Sequence, residues 1–210
     1  MKKEYIMGNS AIALGALAAG LNLAAGYPGT PSSEIMETLE RYPHGEVHLE
    51  WSVNEKAALE VAASAAYAGA RTMVTMKQVG LNVASDPLMS LAYVGVKGGM
   101  VVVVADDPGP ISSQTEQDTR MFAQFCRIPV FDPSSPEEAY QMIQDAFVCS
   151  EQYGTPVLFR PTTRICHAYA SVEVEEHPVP KQYDGFEKDS SRWVIFPRLS
   201  YQNHIQIEQD

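Results

Sequence analysis

A chain of 210 residues, 45% of them hydrophobic, is long enough for one sizeable domain with its own core. Fifteen basic residues against 26 acidic ones give a formal net charge of −11, which argues against a nucleic-acid backbone or an anionic membrane surface as partner. Cys126, Cys149 and Cys166 lie far apart without a CxxC pair, a usage that fits a reducing cytoplasm rather than a disulfide framework.

At the N-terminus Met1-Lys2-Lys3 precedes an apolar stretch, but Glu4 and the pair Asn9-Ser10 interrupt it, so it does not read as a signal peptide. Ser10–Leu23 reads instead as a buried helix opened by an Asn/Ser cap. No apolar run reaches the roughly 18 residues of a membrane span, and the chain is expected to be soluble and cytoplasmic. Short apolar runs closed by turn residues predict strands at Leu23–Tyr27, Val47–Trp51, Thr72–Met76, Met100–Val104, Ile128–Phe131 and Val157–Arg160. The continuous run Val101–Val104 is the mark of a strand buried on both faces. Helices are predicted between them, at Pro31–Arg41, Asn54–Ala70, Asp86–Val94, Glu116–Cys126 and Pro136–Tyr153. Ser135-Pro136-Glu137-Glu138 supplies a Ser cap, a first-turn Pro and acids facing the helix dipole, and Gly154 is a natural terminator.

Six strands alternating with helices imply an α/β fold of three layers, α/β/α, with a six-stranded and mostly parallel sheet. Right-handed crossovers place the strand C-terminal ends along one rim, where such folds bind ligands. The loops expected there are Tyr27–Ser33, Ser52–Asn54, Lys77–Asn82, Ala105–Gln117, Asp132–Pro136 and Pro161–Arg164. Beyond about Ala170 the character changes: Ser171–Asp210 carries Pro178, Pro180 and Pro197, and 8 acidic against 4 basic residues. It reads as an acidic linker that docks through the lone patch Trp193–Pro197, either leading onward to a further domain or ending the chain. The expected division is thus 1–170 and 171–210.

Unusual chemistry gathers in the rim loops. In Tyr27-Pro28-Gly29-Thr30-Pro31, Gly29 permits close backbone approach, Thr30 can cap the next helix and Pro31 can occupy its first position. An ordinary βα turn, a ligand wall and an anion cradle all remain open, although GxGxxG and the P-loop lysine pattern are missing. Ser52-Val53-Asn54-Glu55 matches a capping box, which gives Glu55 a structural role on local pattern alone. The Ala-rich helix that follows suits close packing against another chain or a flat ligand. Met76–Asn82 sets Lys77, Gln78 and Gly80 at a strand end, readable as a solvated turn or as part of a site. Asp106-Asp107-Pro108-Gly109 reads as a solvated turn rather than a metal pair. The five histidines show no zinc grouping, and no G-x-S-x-G occurs.

Five segments together are specific: Gly26–Glu34 (GYPGTPSSE), Glu50–Lys56 (EWSVNEK), Val74–Leu88 (VTMKQVGLNVASDPL), Val101–Gly109 (VVVVADDPG) and Leu158–Arg164 (LFRPTTR). They resemble the indolepyruvate-oxidising members of the thiamine-diphosphate-dependent 2-oxoacid:ferredoxin oxidoreductases, over about residues 5 to 170. The matching part is that family's pyrimidine-binding domain. The resemblance implies that Glu55 hydrogen-bonds N1′ of the aminopyrimidine, so that the neighbouring 4′ nitrogen can take the thiazolium C2 proton. A desolvated carboxyl suits that task. It implies that Tyr27, Pro28, Gly29, Thr30, Gly80 and Asn82 border the cofactor, and that Thr30, Lys77, Gln78 and Gln114 face the 2-oxo acid. It further implies oxidative decarboxylation of an arylpyruvate to acyl-coenzyme A, with electrons leaving through iron–sulfur clusters to ferredoxin. The family's Gly-Asp-Gly motif for Mg2+ and the diphosphate is missing here, as is any CxxCxxC. The chain is therefore expected to hold only the pyrimidine half of the cofactor, to be inactive alone, and to need a diphosphate-binding domain or chain and a second subunit. The small-residue surface Ala57, Ala58, Ala62 and Ala65 suggests a homodimer. The alternative is a non-catalytic assembly or small-ligand-binding domain of the same fold.

Overall fold

The structure, a computed structural model, describes residues 1–42 and 47–209; His44 and Asp210 lie outside them. Six strands form one sheet in the order β3-β2-β4-β5-β7-β6: β2 (Leu23–Gly26), β3 (His48–Trp51), β4 (Thr72–Lys77), β5 (Met100–Ala105), β6 (Val130–Phe131) and β7 (Val157–Phe159). Every neighbouring pair is parallel, with Gly26 beside Thr75 and Val103 beside Phe159. The six predicted strands are thus all present, and the mostly parallel sheet is wholly parallel. Helices α1 (Gly8–Ala18), α2 (Ser33–Arg41) and α6 (Pro136–Tyr153) cover one face, and α3 (Glu55–Tyr67), α4 (Gln78–Val94) and α5 (Thr119–Cys126) the other. The valines of β5 are fully buried, as a central strand with helices on both faces requires.

Local chemistry explains most boundaries. Ser135 Oγ accepts from Glu138 N at 3.1 Å, and Gly154 closes α6 at φ +62°, as its sequence announces. Helix α1 crosses α6 at Gly15, where a Cβ would lie 2.5 Å from both Ile143 Cγ2 and the Tyr140 carbonyl oxygen. Three expectations are corrected. Helix α1 begins at Gly8 rather than Ser10 and stops at Ala18. Its Asn9 is not a cap but turns inward, donating to the Pro31 carbonyl at 2.7 Å and to Glu34 Oε2 at 3.0 Å. Helix α4 begins at Gln78, eight residues before the expected Asp86, because the buried stripe Leu81, Ala84, Leu88 and Leu91 carries the helix past Pro87.

The third correction concerns 171–210, where the sequence showed few regular patterns. Strand β8 (Tyr169–Val174) pairs antiparallel with β1 (Lys2–Met7), Lys2 opposite Val174 and Met7 opposite Tyr169. Further on come α8 (Ser190–Trp193) and α9 (Pro197–Ile207), with α7 (Thr163–His167) lying before β8. The segment docks at several points rather than at one apolar patch. Trp193 packs 4.9 Å from Tyr67, but Val194, Ile195 and Phe196 remain exposed. Lys181 N donates to Gly20 O at 2.9 Å, Arg192 Nη2 to Val96 O at 3.0 Å, and Asn203 Nδ2 to Tyr93 O at 2.7 Å.

Glu151, at the end of α6, ties this segment to the sheet. It accepts from Arg71 Nε and Nη2, both at 2.8 Å, and from Lys181 Nζ at 2.6 Å. Burial alone would push its carboxyl up, but these two cations overcome that and hold it down at about 2, from an ordinary 4.5. A depressed carboxyl stabilises the fold above its unfolded pKa and loses that contribution as pH falls from about 4.5 to about 2, at most about 3 kcal/mol. Glu151→Gln is therefore expected to lower chemical stability near neutral pH and to lose its difference from wild type below pH about 2. Denaturant melts at a series of pH values check this.

Candidate active site at the strand C-terminal rim

The strand order reverses between β2 and β4, which opens a crevice at their C-terminal ends. One wall is the turn after β2. Gly29 N donates to Ser33 Oγ, and Ser32 Oγ donates back to Gly29 O, both at 2.9 Å. These bonds close the turn and start α2 at Ser33. Thr30 therefore does not cap the helix and Pro31 is not in its first turn. Tyr27, Pro28 and Thr30 are exposed at the rim. Gly29 faces the stem of Lys77 at the end of β4, where a Cβ would lie 3.1 Å from its Cγ and Cδ.

The other wall carries Glu55. The capping box does not form: Asn54 is the N-cap, its Oδ1 accepting from Ala57 N at 2.8 Å, while Ser52 Oγ donates to Glu50 Oε1. Glu55 is thus the first residue of α3, released from any capping role. It is only 7% exposed, and among the described residues no donor or cation reaches its carboxylate. Opposite it stands Gly80, in the first turn of α4. A Cβ there would lie 2.5 Å from Glu55 Oε1, 2.7 Å from Cγ and 2.9 Å from Cδ. Gly80 is therefore a spatial requirement for this carboxylate. The carboxylate oxygens are not among the enclosed unpartnered atoms of the described residues, so water still reaches them, and a donor from outside the chain would replace that water. The N-terminus of α3 favours the negative charge there.

The remaining candidates separate. Lys77 ends β4 and Gln78 opens α4, so the expected loop 77–82 is helix instead. Gln78 is fully buried, donating through Nε2 to Thr115 O at 2.9 Å and accepting from Ser113 Oγ at 3.4 Å. Its side chain holds a loop, which corrects the expectation that it faces a substrate. Asn82 stands two residues beyond Gly80, about 200° around the helix, exposed in a depression beside Gln117, Asp118 and Phe122. The structure does not bring it to Glu55. Gln114 is exposed on the loop that Gln78 holds.

The sequence missed Asp106 and Asp107. Read as a solvated turn, both are fully buried. Asp106 accepts from Arg160 Nε at 2.7 Å, Thr119 N at 3.0 Å and Thr119 Oγ1 at 2.9 Å. Asp107 Oδ2 accepts from the backbone N–H groups of Ile111, Ser112 and Ser113 at 2.9, 2.8 and 2.8 Å, and Oδ1 from Thr163 Oγ1 at 2.7 Å. Burial alone would push the Asp107 carboxyl up, but these four donors hold it well below the usual carboxylate range. The available signal was Arg160, just after β7, and Thr163, at the start of α7, both following the strand beside β5. Among the described residues no group of three His, Cys, Asp or Glu side chains could hold a metal ion.

The Ala-rich helix also differs from expectation. Ala58 and Ala62 are fully buried in this chain's own core, packed with Leu59, Leu81, Ala84 and Leu88. They cannot form a surface for a second copy. A separate cavity of about 470 Å³ lies at the other end of α4, between Tyr93, Gly154, Arg192 and Asn203, remote from Glu55. No helix among the described residues is long and apolar enough to cross a membrane.

Comparison with known proteins identifies the family. The family model of the pyruvate flavodoxin/ferredoxin oxidoreductase thiamine-diphosphate-binding domain matches residues 14–200. Indolepyruvate oxidoreductase subunit IorA of Pyrococcus abyssi is 47% identical over 209 residues, 97% of this chain and 32% of that protein. The IorA subunit of Archaeoglobus fulgidus is 49% identical over 203 residues, 93% of this chain and 31% of that one. Ketoisovalerate oxidoreductase subunit VorB of Methanothermobacter thermautotrophicus is 30% identical over 165 residues, 75% of this chain and 47% of its own length. A 2-oxoglutarate:ferredoxin oxidoreductase from Magnetococcus marinus, solved with 2-oxoglutarate, coenzyme A and succinyl-CoA bound, superposes with a TM-score of 0.71 at 22% identity, over 85% of this chain and 32% of that chain; at that identity it shows the shared fold. The chain spans about a third of the length of the IorA relatives it matches. It belongs to the pyruvate flavodoxin/ferredoxin oxidoreductase family, as its thiamine-diphosphate-binding domain.

Proposed function

We propose that these residues form the pyrimidine-binding half of a thiamine-diphosphate-dependent 2-oxoacid:ferredoxin oxidoreductase acting on an arylpyruvate such as indolepyruvate. The observation that carries this reading is Glu55, 7% exposed, its carboxylate packed on Gly80 and without a partner among the described residues. A ring nitrogen that shares a proton with Glu55 supplies that partner, and an assembly domain has no use for an unpartnered acid there. The names of the IorA relatives support the choice of substrate.

In this reading Glu55 holds a proton at one carboxyl oxygen and shares it with N1′ of the aminopyrimidine. Gly80 leaves room for the Glu55 carboxylate itself, and so sets where its oxygens lie, and Gly29 lets the turn after β2 approach. Tyr27, Pro28 and Thr30, exposed on that turn, border the ring and the 2-oxo group, and Lys77 and Gln114 lie toward the substrate. The α3–α4 wall covers most of the Glu55 side chain. Thiamine diphosphate, when bound, supplies the nucleophilic carbon and the electron sink for decarboxylation. Without a suitable cluster among the described residues, Mg2+ and the diphosphate are assigned to a further domain or chain. A second subunit with iron–sulfur clusters, coenzyme A as acyl acceptor, ferredoxin as electron acceptor and a homodimeric assembly complete the proposal. Any such dimer must use a surface other than Ala58 and Ala62.

The test is made on the assembled oxidoreductase. Arylpyruvate oxidation is expected to require thiamine diphosphate, and Gly80→Ala is expected to raise the cofactor concentration for half-activation by about tenfold or more. One added methyl inside contact distance of the carboxylate costs about 1–3 kcal/mol of strain. Activity that is independent of thiamine diphosphate refutes the reading. An unchanged cofactor requirement in Gly80→Ala removes Glu55 from the cofactor contact.

A further inference from the structure

We propose that Asp107 is a positioning residue, fixing the segment Ile111–Thr115 as a rigid substrate-side wall of the Glu55 site. The inference rests on the cofactor half-site reading and assigns to that site the piece that sets substrate affinity.

Three consecutive backbone N–H groups, those of Ile111, Ser112 and Ser113, converge on the single oxygen Oδ2 of Asp107. Convergence of that kind folds the chain into a tight turn around a buried anion, and charge-assisted bonds are about twice as strong as neutral ones. The other oxygen is tied to Thr163, the first residue of α7, so the pin is itself held by the segment that follows the neighbouring strand. The far side of the segment is tied to the first turn of α4, where Gln78 receives Ser113 Oγ and donates to Thr115 O. Two residues along that same turn is Gly80, which abuts Glu55. Asp107, the segment and the Glu55 wall thus form one connected chain of contacts.

What the segment presents outward is different in kind. Ile111 is 63% exposed, and Ser112 and Gln114 are exposed as well. The backbone is consumed by the anchors while the side chains are left free at the rim, the arrangement of a preorganised recognition wall. Ile111, Ser112 and Gln114 carry no charge, which suits an apolar or aromatic 2-oxo acid side chain better than a second carboxylate. Asp107 touches none of this surface, so its effect is on position alone.

The experiment uses the assembled oxidoreductase with Asp107→Ala, Asp107→Asn and Thr163→Val. Asp107→Ala removes all four bonds and is expected to lower kcat/KM for the arylpyruvate about 100-fold, the cost of displacing a positioning group by about an ångström. The loss should fall mainly in KM, with the affinity for thiamine diphosphate within about twofold of wild type. Asp107→Asn keeps an acceptor for the three N–H groups and is expected to recover most of the loss, leaving about a tenfold rise in KM; Thr163→Val removes one bond and behaves similarly. Amide exchange across 108–118 is read in parallel, and should be slow in wild type and at least about tenfold faster in Asp107→Ala. A folded variant with faster exchange and unchanged KM overturns the proposal, as does a fall in cofactor affinity that tracks KM. Should Asp107→Ala not fold, an unchanged KM in the other two variants overturns it equally. Wild-type enzyme without thiamine-dependent activity sinks the function reading, whereas unprotected 111–113 amides in wild type sink the anchoring itself.

Discussion

Glu55→Gln in the assembled oxidoreductase is expected to lower turnover by about 10²–10⁴-fold, the usual contribution of a positioned acid/base group. The amide is nearly isosteric, so neither Gly80 nor the end of α3 need move. Asn54 caps the helix without help from Glu55, so no capping bond is lost. What disappears is a carboxyl able to hold and return a proton. Steady-state rates at saturating cofactor, set beside a thermal melt, separate chemistry from stability. A near wild-type rate would reduce Glu55 to a buried acid without a catalytic part. Replacing this largely covered carboxylate by a neutral amide also predicts a melting temperature equal to or above that of wild type.

Ala62→Arg is expected to abolish the fold rather than to yield a soluble monomer. Ala62 is fully buried between α3 and α4, among Leu59, Leu81 and Leu88. An arginine there overfills a packed core and buries a charge without a partner, together about 5 kcal/mol or more. That figure matches the lower end of the total stability of a domain, about 5–15 kcal/mol. Glu60→Arg, exposed on the same helix, is the control and should change stability by no more than about 0.5 kcal/mol. Circular dichroism of the two variants decides the matter; a well-folded Ala62→Arg would mean that the α3–α4 contact is not part of the core.

The contrast between Ala58, Ala62 and Glu55 shows where sequence reading reaches its limit. An alanine stripe looks the same whether its close-packed neighbour is a second chain or the next helix of the same chain. Only the position of α4 makes it internal. A capping box looks the same whether Ser52 or Asn54 ends up at the N-cap, and two residues of displacement turn Glu55 from a cap into a free carboxylate. Gln78 and Asn82 seemed to share a loop because the helix was expected to start only at Asp86. The buried stripe on α4 overrode that local signal and sent them to different faces.

By itself the sequence determined the six strands, five of the helices to within a few residues apart from the start of α4, and the rim where the chemistry would gather. Those features depend on short-range properties: β-branched runs, turn residues, caps and helical periodicity. The motifs also carried the family resemblance, because residues 26–34, 50–56 and 74–88 are contiguous segments. Only the tertiary structure decided the rest. The pairing of β1 with β8 joins Lys2 to Val174 across the whole chain, and neither strand has an alternation strong enough to announce itself. Asp106 and Asp107 looked solvated because their partners, Arg160 and Thr163, arrive from the segment that follows β7. The close packing of Glu55 on α4 exists because Gly80, 25 positions away, comes within contact distance of the carboxylate and brings no side chain. Long-range contacts of this kind depend on how helices pack across a sheet, which no local pattern encodes.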